Sequence, residues 1–74
     1  MKPSIKEKLI AFVEKFNHNY GIGIKCEFDD DLCIIWGKPV VSSVFLRMFI
    51  EDIGESYHNF YISVRDSEPE LIVY

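Results

Sequence analysis

The chain has 74 residues, 49% hydrophobic and 15% aromatic, with a formal net charge of −4 at pH 7. That length holds one domain, spanning 1–74, and its apolar content excludes intrinsic disorder. No apolar run approaches the roughly 20 residues of a membrane span.

Charge is uneven. Residues 1–26 carry five lysines against two glutamates, whereas residues 27–74 carry ten acids against three basic residues. Phosphate neutralisation is the main source of nucleic-acid affinity, so no direct nucleic-acid binding is expected. The opening Met1-Lys-Pro-Ser-Ile-Lys-Glu-Lys8 lacks the apolar core of a signal peptide, and the expected location is cytoplasmic, with no membrane association.

Ser4 and Glu7 are spaced as a capping box. Ile5, Leu9, Phe12, Val13, Phe16 and Tyr20 then recur three and four apart, which predicts a helix from about Ile5 to Asn19 with Gly21 as its left-handed cap. Ile22, Ile24, Cys26 and Phe28 alternate with Gly23, Lys25, Glu27 and Asp29 as a half-buried strand. A three-residue turn at Asp29-Asp30-Asp31 pairs Phe28 with Leu32, Cys26 with Ile34 and Ile24 with Trp36, making the buried face wholly apolar. It leaves Cys33 and Ile35 outside, and it sets Cys26 and Cys33 on opposite faces, unbonded. Gly37-Lys38-Pro39 ends the strand. A second helix follows from Pro39 or Ser42 to Ile53, ended by Gly54, with Val41, Phe45 and Met48 as an extra apolar stripe. Phe60, Ile62 and Val64 alternate in a third strand, Ser67-Glu68-Pro69 carries turn chemistry, and Leu71–Tyr74 returns. With Val64 opposite Ile72, Leu71 and Val73 point outward.

The two halves resemble one another. Leu9–Tyr20 lies over Leu46–Tyr57 at an offset of 37, Ile22–Cys26 over Phe60–Val64, and Cys33–Trp36 over Leu71–Tyr74. Units 4–36 and 41–74 are thus each a helix and a hairpin, either by internal duplication or because helical and strand periods force such matches. The fold class is α+β, in the order α-β-β-α-β-β, with one four-stranded, mainly antiparallel sheet and both helices on one face.

Chemistry-bearing motifs are sparse. The Asp29–Asp31 run lacks the spacing and glycine of a calcium loop. His18 and His58 lack partners at metal-ligand spacing. Cys26 and Cys33, separated by six residues, form neither a redox motif nor half a zinc site, and Ser42-Ser43 lacks a nucleophile setting. No catalytic residue, metal or cofactor is expected.

What remains is surface. Cys33, Ile35, Tyr61, Leu71 and Val73 would form an uncovered apolar sheet face, with Phe45 and Met48 offering a second one on the helix. Hiding either face through a two-fold axis predicts a homodimer. Glu27, Asp29, Asp30, Asp31, Asp66, Glu68 and Glu70 make an acidic surface at the two hairpin tips. The sequence therefore favours a small non-enzymatic protein-binding regulator or inhibitor. A second reading is an acidic nucleic-acid mimic, such as a phage-type antagonist of a host nuclease. A third, a small enzyme or metal-dependent accessory protein, has no motif behind it.

Overall fold

The structure, a computed structural model, describes residues 2–54 and 59–74. The chain runs α1 (Pro3–Tyr20), β1 (Lys25–Asp29), β2 (Leu32–Trp36), a 3-10 turn (Lys38–Val41), α2 (Ser43–Ile53), β3 (Phe60–Arg65) and β4 (Glu68–Val73). This is the expected α-β-β-α-β-β order. The strands form one antiparallel sheet, arranged β1-β2-β4-β3.

Prolines and a serine start the helices. Pro3 occupies the first turn of α1, where its missing N–H leaves no bond unmade. Ser4 therefore lies inside the helix, and the expected capping box with Glu7 does not form; Lys2 is the cap residue, without a side-chain bond. Gly21 closes α1 at φ 62°, a conformation that costs glycine little. Pro39 and Ser42 both act as starts. Pro39 opens the 3-10 turn, and Ser42 Oγ accepts from the Phe45 N–H at 3.1 Å while donating to the Pro39 carbonyl at 2.7 Å.

The core joins both helices to alternate strand residues. Leu9, Phe12, Val13 and Phe16 of α1 and Phe45, Phe49 and Ile53 of α2 cluster with Ile24, Cys33, Ile35, Leu71 and Val73. Phe12 meets Phe45 and Phe49 edge-on at 5.4 and 5.7 Å, and Phe16 meets Phe45 at 5.1 Å. Each such pair contributes about 0.5–1.5 kcal/mol beyond its area. Asn17, which helical spacing places on the polar side, instead brackets the backbone of Ile24. Its Nδ2 donates to the Ile24 carbonyl at 2.9 Å, and its Oδ1 accepts from the Ile24 N–H at 2.8 Å. That bracket fixes the entry into β1.

The strand register differs from the expected one. Asp30 and Asp31 alone make the first turn, so Asp29 pairs with Leu32, Phe28 with Cys33 and Cys26 with Ile35. Asp66 and Ser67, at φ 52° and 65°, make the second turn as a type I′ pair, so Val64 faces Pro69, Ile62 faces Leu71 and Tyr61 faces Ile72. Strand side chains alternate, so each shift reverses the faces. Cys33, Ile35, Leu71 and Val73, expected outside, are fully buried in the core. Pro69, expected in the turn, lies within the central strand β4. Its missing N–H falls where the β2 ladder ends, and its carbonyl accepts from the Gly37 N–H at 3.2 Å.

The two units share their order of elements, and the sheet pairs Ile34 directly with Ile72, residues that the internal alignment also superposes. The matches of Tyr20 with Tyr57, and the positions of Glu55 and His58, lie outside the described residues.

Ile35→Lys and Val73→Lys are expected to destabilise the fold by more than about 3 kcal/mol, because each would bury an unpaired charge. Tyr61→Lys, at an exposed site, should change stability by less than about 1 kcal/mol. Asn17→Ala should cost about 1–3 kcal/mol for the two lost bonds. Urea unfolding of the four proteins measures all three.

Candidate binding face

The strand residues of the other parity belong to no part of the helix-side cluster. The registers set them in rows: Lys25–Trp36–Glu70–Ser63, then Glu27–Ile34–Ile72–Tyr61, then Asp29 beside Leu32. Asn59 and Tyr74 extend the last row by bonding each other's backbone at 2.9 and 3.1 Å. Ile34 and Ile72 are buried at the centre of this second face, with Leu32, Trp36, Tyr61 and Tyr74 around them. The Tyr61 and Tyr74 rings meet edge-on at 5.8 Å. A second apolar face exists, as the sequence implies, but with different members: of the five residues expected on it, only Tyr61 is there.

At the Trp36 end lies a concavity of about 320 Å³ lined by Glu27, Trp36, Arg65, Asp66, Glu68 and Glu70. Glu70 is nearly buried, and its Oε2 takes the Arg65 Nε at 3.3 Å. The seven acids expected at the two hairpin tips are thereby divided between the two ends of the sheet. The Asp30–Asp31 turn follows the Asp29–Leu32 row, and the Asp66–Ser67 turn follows the Arg65–Glu68 pair at the opposite end of the sheet. Glu27, Asp66, Glu68 and Glu70 share the notch, whereas Asp29, Asp30 and Asp31 stand at the far tip.

The helix surface proposed from Phe45 and Met48 does not exist in that form. Phe45 is fully buried between the helices, and Met48 is half-buried, its Sδ 3.6 Å from the Tyr20 hydroxyl that donates to it. His18 sits exposed in the last turn of α1. Among the described residues no three His, Cys, Asp or Glu side chains converge as a metal-binding group, and no helix is long and apolar enough to cross a membrane.

Cys26 and Cys33 are both thiols, but they share the helix-side face rather than opposite faces, with Sγ atoms 3.4 Å apart. One thiol donates its S–H to the other, and this contact lowers the Cys26 pKa against the opposing effects of burial and the nearby Glu27 carboxylate. The same shared proton, reinforced by burial, holds Cys33 protonated well above the usual thiol range. Cys26 should therefore alkylate with a midpoint below that of an ordinary thiol, and ahead of Cys33. Cys33→Ala should raise that midpoint. Iodoacetamide rates measured against pH, with the site located by mass spectrometry, check both.

No family model, curated protein or solved structure matches this chain.

Proposed function

We propose that this chain is a small non-enzymatic protein-binding regulator or inhibitor whose second sheet face receives a basic segment of another protein. The observation that carries the reading is the joining of an apolar patch to an acidic notch on that face. Leu32, Trp36, Tyr61 and Tyr74 supply flat, partly exposed area around Ile34 and Ile72, and interfaces are enriched in such aromatic anchors. Among the described strand residues of this face, Glu27, Asp29, Glu68 and Glu70, with Asp66 at the adjoining turn, outnumber Lys25 and Arg65, so the complementary ligand is cationic. A guanidinium or ammonium over the Trp36 indole would add a cation–π contact beside the carboxylates. Arg65 at Glu70 already shows one guanidinium held in the notch.

A narrower form of this reading makes the partner a nucleic-acid-handling protein, with the notch acids standing where phosphates would bind. The clustering of Glu27, Asp66, Glu68 and Glu70 favours it; the distance of Asp29–Asp31 at the other end confines any such mimicry to the notch.

Trp36 is the single tryptophan, so its fluorescence reports on this face alone. A synthetic peptide alternating arginine with leucine is expected to shift Trp36 emission saturably. Its affinity should fall several-fold between about 50 and about 300 mM salt, as exposed charges are screened over roughly 8–10 Å. Glu27→Lys with Glu68→Lys should slow association more than it speeds dissociation. Amide shifts that map to α1 instead, or no binding at millimolar peptide, would refute the reading.

A further inference from the structure

The two edges of the sheet are unlike. At the β1 edge the second-face residues Lys25, Glu27 and Asp29 are all charged and exposed, the usual device that keeps an edge from pairing. At the β3 edge, Phe60-Tyr-Ile-Ser-Val-Arg65 carries one charge, at its end, and exposes Tyr61 at 51%, Ile62 at 43% and Val64 at 69%. The helix-side cluster takes only Phe60 from this strand. Ile62 and Val64 lie on the same side of the sheet as Phe60 but outside that cluster.

The backbone phase coincides with this exposure. Asn59 and Tyr74 exchange both their backbone bonds, so by antiparallel alternation Tyr61 and Ser63 also turn their N–H and C=O groups to β4. Ile62 and Val64 turn theirs outward, and no described strand lies beyond them. The same two residues thus offer an open row of backbone donors and acceptors and uncovered β-branched side chains.

We infer that β3 is a pairing edge through which two copies of this chain join, antiparallel about a two-fold axis, into one eight-stranded sheet. The segment Ile62-Ser63-Val64 is self-complementary. A two-fold axis at Ser63 sets Ile62 of each copy opposite Val64 of the other in hydrogen-bonded pairs, and Tyr61 opposite Arg65, a cation–π arrangement. The antiparallel sense also holds the two acidic Asp66–Glu68 tips at opposite ends of the new ladder, where a parallel sense would align them in mutual repulsion. An edge of six residues buries less than the roughly 1,200 Å² of a standard interface, so the dimer is weak and concentration-dependent. It differs from both two-fold contacts expected from the sequence, and it stands whether or not the second face binds a basic segment.

Sedimentation equilibrium of the full chain from about 5 to about 500 µM tests it, that range bracketing the weak affinity of a small interface. The wild type should pass from monomer to dimer, and the Ile62 and Val64 amides should gain exchange protection with concentration. Val64→Pro removes an outward N–H but no bond to β4, and Ile62→Lys places a charge on the edge. Both should stay monomeric with unchanged circular dichroism, and Ile62→Lys with the exchange data suffices should the proline variant fail to fold. Trp36→Lys, on the second face, should leave dimerisation intact. A wild type monomeric at the highest concentration overturns the inference. So does a dimer that Trp36→Lys abolishes and Ile62→Lys does not, or β3 protection that appears only with the basic peptide.

Discussion

The two-residue turn at Asp30–Asp31 decides which half of each strand meets the helices. Because side chains alternate, a hairpin closed one residue earlier or later exchanges the inner and outer sets across β2, and through the Ile34–Ile72 pairing across β4 as well. The chain tolerates the closure because Asp30 can take φ 52°, a region in which aspartate is enriched over most residues. Volume supports the same choice. Four phenylalanine rings from α1 and α2 already fill the helix side, and what fits beneath them at close-packed density is Cys33, Ile35, Leu71 and Val73 rather than Leu32 and Trp36. The bulky indole goes to the side with room for it.

Given that parity, ring contacts and one hydrogen-bonded bracket tie the helices to each other and to the sheet within the core. The edge-on contacts of Phe12 with Phe45 and Phe49 lock α1 to α2, and Phe49 reaches the sheet through Phe60 at 5.5 Å. The Asn17 bracket on Ile24 then ties the end of α1 to the start of β1 at a point where a short loop would otherwise leave two backbone groups without partners. In a 74-residue chain the margin of stability is narrow, and a few well-directed bonds of this kind decide whether the hairpin docks in one orientation.

Both helices, all four strands and their order along the chain were legible, because helical stripes and strand alternation are strong signals in Leu9–Phe16, Ile24–Phe28 and Phe60–Val64. The parity of β2 and β4 was not. Leu32–Trp36 and Leu71–Tyr74 are apolar on both sides, so hydrophobicity alone cannot choose a face, and the choice falls to turn chemistry. The Asp66–Ser67 turn is masked in the sequence by Ser67-Glu68-Pro69, which carries the more familiar turn residues, although a ladder's end accommodates Pro69. Four expected interface residues consequently became core, while Trp36, Leu32 and Tyr74 took places on the second face, the first two half-buried. The role of Asn17 has no sequence signature, since it depends on where Gly21 sends the chain.

Arg65 links the second face to the edge of the sheet. Its guanidinium is more than half exposed, yet its Nε sits 3.3 Å from the nearly buried Glu70 carboxylate on the floor of the notch. An incoming cation must therefore share Glu70 with Arg65 or displace it, and a half-exposed ion pair offers only weak resistance to displacement. Pairing through β3 would set the same guanidinium against Tyr61 of the second copy, on the same side of the sheet as Glu70. That contact can draw Arg65 toward the edge and leave Glu70 more available beside Trp36, or it can order Arg65 where it stands and keep the carboxylate neutralised. In either case association at the edge and charge in the notch act on one side chain. By linkage, whichever state of Arg65 the dimer favours, a basic ligand that favours the same state strengthens the dimer to the same degree.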